Sequence, residues 1–150
     1  MEHLALNGGV KIRKKPFPKH PIIGDEEKRQ VLEVLESGNI STFIASPGEN
    51  FLGGKKIREF ENKFAKKIGT TYGVAFNSAT SALHAAVVAV GVLPGEEVIV
   101  PPYTFTSTAT CALMHNAIPV FCDVKKDTYC LDPAKLESVT SKLSKAVIPV

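Results

Sequence analysis

The stretch "EEVIVPPYTFTSTATCALMHNAIPVFCDV", residues 96–124, decides the fold of this chain. It begins with a short run of valine and isoleucine, continues through the helix-like "TFTSTATCALMHN", and closes with a second apolar run, "IPVFCDV". Runs of this length and composition indicate buried strands. Strands that lie parallel need a long crossover connection, usually a helix. The stretch therefore predicts a strand–helix–strand unit of an α/β fold.

The same alternation extends in both directions along the chain. Upstream, "YGVAF" (72–76) predicts a short buried strand, and "TSALHAAVVAVG" predicts a helix that ends at Gly91. Downstream, "DPAKLESV" predicts a helix with Asp132 as its N-cap and Pro133 at its first position, and "KAVIPV" predicts another strand. Alternating strands and helices favour a mainly parallel sheet that helices cover on both faces, which is a three-layer α/β architecture.

The N-terminal third has a different character. Residues 1–24 contain three prolines and no periodicity, which predicts an extended arm. Helices are predicted in "DEEKRQVLEVLESG" and "KKIREFENKFAKKIG", with a long irregular loop at 39–54 between them. We expect residues 25–150 to form one part of a single large domain. Because the apolar pattern of the last strand continues to Val150, we also expect the sheet to be incomplete at the C-terminus and the chain to be the front portion of a longer protein.

Composition excludes several classes of function. The net charge is +3, and 44% of residues are hydrophobic, as in ordinary globular proteins. The basic residues near the N-terminus lack interleaved aromatic residues, so we expect a solvated arm and no nucleic-acid partner. No apolar run is long enough to span a membrane. The three cysteines and four histidines show no ligand spacing, which predicts no metal site and fits a reducing cytoplasm.

The junction in "VAFNSATSALHAA", residues 74–86, places small and polar residues where a strand meets a helix. A helix N-terminus offers unpaired N–H groups and a positive dipole end, which together attract phosphate. Small side chains at 78–80 leave that backbone accessible. The alternative is that Ser78 or Thr80 only caps the helix, and the residues alone leave both interpretations open.

A second junction, "VIVPPYTFTST", adds an aromatic residue, Phe105, among several hydroxyl groups. Ligands of open α/β sheets bind beyond the carboxyl ends of the strands, and an aromatic side chain there can stack on a flat ring. The alternative for Phe105 is an ordinary place in the core.

Six segments taken together, in order, resemble the DegT/DnrJ/EryC1/StrS aminotransferases. They are "NSATSAL", "GEEVIVP", "TFTST", "PVFCDV", "DTYCLDP" and "SKAVIPV", and the resemblance covers about residue 20 to the end. It implies the large domain of fold-type I (aspartate aminotransferase-like) enzymes and pyridoxal 5'-phosphate (PLP) as cofactor. By position, it implies that Ala79 and Thr80 hold the PLP phosphate, that Phe105 stacks on the pyridine ring and that Thr108 lies near the cofactor. Ala79 replaces the commoner glycine, and Cys122 falls at a variable position, which predicts a core residue.

The resemblance further implies transfer of an amino group from glutamate or glutamine to a nucleotide-linked keto sugar or a keto-cyclitol, in amino-sugar, polysaccharide or antibiotic biosynthesis. It implies a homodimer. The Schiff-base lysine and the aspartate that pairs with the ring nitrogen are expected beyond Val150, so the 150-residue chain alone is expected to lack transaminase activity. Two alternatives stay open: a sugar dehydratase with histidine in place of that lysine, and a non-catalytic fragment or paralogue that binds a phosphate ligand or a partner.

Overall fold

A computed structural model describes residues 3–150, and its sheet has three strands. They are β1 (Glu97–Val100), β2 (Ile118–Phe121) and β3 (Ser144–Val147), in the order β2-β1-β3. Both neighbouring pairs run parallel, with Ile99 opposite Val120 on one side and Val147 on the other. The predicted parallel sheet is confirmed.

The central strand β1 is buried on both faces, because its side chains alternate between two apolar clusters. Val98 and Val100, each 0% exposed, belong to a cluster that also contains Val87, Cys111 and Ala112 from the helices on that side. Ile99 points to the opposite cluster, with Cys122, Leu131, Leu136 and Val139. Helical residues therefore cover the sheet on both sides, and the predicted three-layer arrangement is confirmed.

The helices of the second compact unit, Lys55–Val150, follow the predicted pattern closely. They are α2 (Lys55–Ile68), α3 (Ala79–Ala89), α4 (Ser107–Leu113) and α5 (Leu136–Val139), the last preceded by a 3₁₀ turn at Pro133–Lys135. The Asp132 side chain accepts a hydrogen bond from the N–H of Ala134 at 3.1 Å, so its predicted role as N-cap is confirmed.

Helix α4 is shorter than the helix-like stretch 104–116 predicted. At its start, the N–H of Thr108 bonds to the carbonyl of Phe105, three residues earlier, which closes a tight turn. After it, Asn116 adopts a left-handed conformation with φ of 56°, which ends the helical path.

The prediction of a buried strand at 72–76 is wrong. The segment is irregular and pairs with none of the strands in residues 3–150, and Val74 is 72% exposed. A side chain holds it instead: the N–H of Ala75 donates to Oε1 of Glu61 on α2 at 2.8 Å. The apolar pattern alone does not make a strand, because a strand also requires a neighbouring strand for its hydrogen bonds.

The first unit, which ends at Gly54, contains helix α1 (Asp25–Glu36). The N–H of Gly24 donates to the Glu27 side chain at the start of α1, and Gly38, the last residue of the predicted segment, is left-handed just after the helix ends. The arm contains one 3₁₀ turn, Ala5–Asn7, and residues 39–54 form an irregular loop. The division into an arm at 1–24 and a domain from 25 onward stays a prediction.

The carboxylate of Glu97 forms hydrogen bonds that connect the start of β1 to the start of β3. One oxygen of Glu97 accepts hydrogen bonds from the hydroxyls of Ser141 and Ser144, at 2.6 Å and 2.7 Å. These two donors lower the pKa of Glu97 below its ordinary value. The ionised form is therefore favoured in the folded chain, and its contribution to stability is lost when the pH falls through that lowered pKa.

We expect Glu97→Gln to lower the urea midpoint at neutral pH, because a charge-assisted pair of hydrogen bonds becomes a neutral one. The difference from the unaltered chain should shrink as the pH falls below about 4.3, the ordinary glutamate pKa, and vanish below the lowered pKa of Glu97. Glu137→Gln, at an exposed position on α5, is the matched control. A difference that stays constant between pH 7 and pH 3 would contradict this role.

Candidate cofactor site at two strand-to-helix junctions

Ser78 is the N-cap of α3. Its backbone is extended, with φ of −158°, and its Oγ accepts a hydrogen bond from the N–H of Ser81 at 3.2 Å. The Ser78 hydroxyl also lies 3.1 Å from the Ser81 hydroxyl. The capping interpretation of this junction is therefore confirmed for Ser78.

Ser78 accepts a hydrogen bond from the N–H of Ser81, which leaves other N–H groups in the first turn of α3. In residues 3–150, the N–H groups of Ala79 and Thr80 have no acceptor, and the Thr80 hydroxyl makes no hydrogen bond. Ala79 is exposed and Thr80 is half-buried. This position suits an anionic oxygen, because two N–H donors lie at the positive end of an 11-residue helix. The neighbouring side chain is no larger than a methyl group.

A mostly apolar cavity of about 240 Å³, whose lining also includes Glu61 and Ser78, lies against this junction. Phe60 and Phe64 of α2 line one part of it, and Val74, Phe76 and Ala79 line another. The rings of Phe60 and Phe64 are 5.7 Å apart, centroid to centroid. The polar donors of the first turn are therefore bordered by an apolar surface, so that a ligand with a charged end and an apolar body would find complementary chemistry on both.

The second junction follows β1 and carries Phe105 and Thr108. Phe105 is 76% exposed and contacts no other ring in residues 3–150, so its alternative assignment to the core is wrong. Thr108, on α4, is only 4% exposed. Its hydroxyl oxygen lies 2.9 Å from that of Thr104, which is half-buried.

The structure brings the helices of the two junctions together but does not bond their candidate residues to one another. Helices α3 and α4 pack side by side, and Val87, Cys111 and Ala112 meet in one cluster. No hydrogen bond joins Ala79 or Thr80 to Phe105 or Thr108 anywhere in the described chain.

Two features of this region were not expected from the sequence. The Thr104–Thr108 hydroxyl pair is one, although their spacing of four residues near a helix start is a usable signal. The other is a contact between the rings of Tyr103 and Tyr129, with centroids 5.5 Å apart. Tyr129 has φ of 60°, a left-handed backbone that no local sequence pattern indicates here.

Two of the three cysteines belong to the apolar core. Cys111 and Cys122 are fully buried, and burial raises the pKa of both thiols, so Cys122 is confirmed as a core residue. Residues 3–150 contain no cluster of three or more metal-ligating side chains. Within the same range, none of the helices has both the length and the apolar character that crossing a membrane requires.

Comparison with known proteins identifies the class of fold and then the family. The family model for DegT/DnrJ/EryC1/StrS aminotransferases matches residues 21–150. A solved structure, the putative sugar aminotransferase Spr1654 from Streptococcus pneumoniae in its PMP form, superposes with a TM-score of 0.75 at 33% identity, covering 86% of this chain and 30% of that one. The chain is thus part of the large domain of a PLP-dependent aminotransferase fold, and it belongs to the DegT/DnrJ/EryC1/StrS aminotransferase family.

Two curated relatives also match this chain over only part of their own length. The spore coat polysaccharide biosynthesis protein SpsC of Bacillus subtilis is 43% identical over 130 residues, which are 87% of this chain and 31% of SpsC. A putative L-glutamine:3-amino-2,3-dideoxy-scyllo-inosose aminotransferase of Streptoalloteichus tenebrarius is 35% identical over 98% of this chain and 34% of that protein. The chain spans about a third of the length of these relatives.

We expect Ser78→Ala to destabilise the chain by about 1 kcal/mol, the usual cost of losing a helix N-cap. Ser78→Asp should restore most of that stability, because its carboxylate can accept the same N–H and lies at the positive end of the helix. Urea unfolding followed by circular dichroism measures both changes. Equal destabilisation by alanine and aspartate would show that Ser78 is not acting as a cap.

Proposed function

We propose that the protein containing this chain is a PLP-dependent aminotransferase. It would transfer an amino group from glutamate or glutamine to a nucleotide-linked keto sugar or a keto-cyclitol. The observation that carries the proposal is the first turn of α3, where the N–H groups of Ala79 and Thr80 have no acceptor among residues 3–150 and lie next to a small side chain. Family membership and the names of the relatives support the reaction class.

The described residues fit the phosphate and the ring of PLP. The two free N–H groups, together with the Thr80 hydroxyl, can donate to phosphate oxygens, and the helix dipole favours the charge. Phe105 presents a ring that is 76% exposed, and stacking on a flat ligand is worth about 0.5–1.5 kcal/mol beyond burial. Thr108 is placed near the start of α4, with its hydroxyl engaged by Thr104.

When bound, PLP supplies an electron sink for the transfer of the amino group. The residues of this chain would anchor and orient it. Ala79 and Thr80 would fix the phosphate end, and Phe105 would limit rotation of the ring about that anchor. Proton transfer to and from the substrate would need a lysine, and none of the lysines in this chain lies in the matching family context.

Assembly and location are part of the same proposal. A homodimer and a cytoplasmic setting both rest on the family resemblance. The three cysteines are free, and two of them are buried, which is compatible with a reducing compartment.

Binding of pyridoxamine 5'-phosphate tests the proposal, since this form of the cofactor needs no lysine attachment. We expect Ala79→Leu to weaken its binding about tenfold or more, because the larger side chain blocks charge-assisted hydrogen bonds to the phosphate. Ala86→Leu, at an exposed position on the same helix, is the matched control and should bind normally. Fluorescence titration measures both affinities.

Pyridoxamine without phosphate should bind the unaltered chain far more weakly than the phosphorylated form. If Ala79→Leu and Ala86→Leu bind the phosphorylated form equally, the first turn of α3 is not the phosphate site and the proposal fails.

A further inference from the structure

The hydroxyls of Thr104 and Thr108 share one hydrogen bond but have two protons. Their oxygens are 2.9 Å apart, and either one could be the donor on distance alone. Each threonine hydroxyl has one proton to donate and lone pairs to accept with. The bond between them therefore uses one proton, and the other must point to a different acceptor.

The surroundings of the two hydroxyls decide which proton is left over. Thr108 is 4% exposed, and its hydroxyl makes no other hydrogen bond in residues 3–150. If Thr104 were the donor, the Thr108 proton would be buried without an acceptor, which is costly. Thr104 is half-buried, so its proton can reach solvent or a ligand. The favoured arrangement has Thr108 donating to Thr104.

We propose that Thr104 donates its free proton to an acceptor oxygen of the bound cofactor, and that Thr108 is a positioning residue that holds Thr104 in place. Ligands of open α/β sheets bind beyond the carboxyl ends of the strands, and there, after β1, the half-buried Thr104 directly precedes the exposed Phe105. This inference rests on the proposed function. It assigns the contact with the ligand to Thr104, whereas the family resemblance implies only that Thr108 lies near the cofactor.

The direction of the hydrogen bond can be tested in the chain without ligand. Thr104→Val leaves the buried Thr108 proton without an acceptor, so the thermal midpoint should fall by several degrees. Thr108→Val should change the midpoint little, because Thr104 can bond to water. The double variant should be more stable than Thr104→Val alone, since no buried hydroxyl remains. A larger loss for Thr108→Val than for Thr104→Val would overturn the assignment of the donor.

Titration with pyridoxamine 5'-phosphate tests the contact with the ligand. Thr104→Val should weaken binding about tenfold, while Thr104→Ser, which keeps the hydroxyl, should bind within about threefold of the unaltered chain. Thr108→Val should have a smaller effect, about threefold, that Thr108→Ser reverses. The double variant, which is expected to be more stable than Thr104→Val, should still bind as weakly as Thr104→Val, whereas an effect of Thr104→Val on binding through stability alone would be relieved in the double variant.

A parallel titration with inorganic phosphate identifies the acceptor. If Thr104→Val weakens the binding of both ligands equally, the acceptor is the phosphate. If it weakens only the binding of pyridoxamine 5'-phosphate, the acceptor is an oxygen on the ring. If Thr104→Val binds pyridoxamine 5'-phosphate as tightly as the unaltered chain does, the inference is overturned, whether or not Thr108→Val weakens that binding. The proposed function would remain intact. Failure of the unaltered chain to bind pyridoxamine 5'-phosphate would instead remove the proposed function, and this inference with it.

Discussion

The second unit depends on strand β1, whose backbone is bonded on both edges and whose side chains are buried on both faces. The N–H of Cys122 bonds to the carbonyl of Val100, and the N–H of Ile148 bonds to the carbonyl of Ile99, each at 2.9 Å. A segment held in this way cannot shift by one residue without exchanging its two sets of buried side chains. Strand β1 therefore fixes where its carboxyl end, and with it Phe105, emerges from the sheet.

The same strand sets the relation between the two junctions. Val98 and Val100 pack against residues of both α3 and α4, so the helices that begin at the two junctions share one apolar cluster. Interiors are close-packed, and such a cluster permits little relative movement of its members. The donors at the start of α3 and Thr108 on α4 are thus parts of one closely packed layer, although no hydrogen bond connects them directly in the described residues.

Local sequence patterns were enough to predict most of the fold. The apolar runs of β1, β2 and β3, the glycines after α1 and α3 and the cap at Asp132 are all short-range signals, and the structure follows them. The segment 72–76 was predicted incorrectly because pairing depends on a distant neighbour, which no local pattern shows. The segment "DEEKRQVLEVLESG" predicted a helix, but it could not predict that its Val31, Leu32 and Leu35 would each be more than half exposed.

The candidate site was predictable to the level of segments but not of individual contacts. Small residues at the start of α3 and an aromatic residue after β1 are visible in the sequence. Two contacts arise only from tertiary structure. Glu97 bonds to Ser144, which is on a strand more than 40 residues away, and the ring of Tyr103 contacts that of Tyr129. The choice between Thr104 and Thr108 depends on burial, which the order "TFTST" does not reveal.

The most direct measurement of the central claim is a ¹⁵N NMR titration of the chain with pyridoxamine 5'-phosphate, with the backbone amides assigned. The account predicts that the largest amide shifts fall at Ala79 and Thr80, with a further change at Phe105 from stacking of the ligand ring. Shifts confined to the basic stretch between Lys11 and Lys19, with Ala79 and Thr80 unchanged, would show non-specific attraction of phosphate to lysine and would contradict the account.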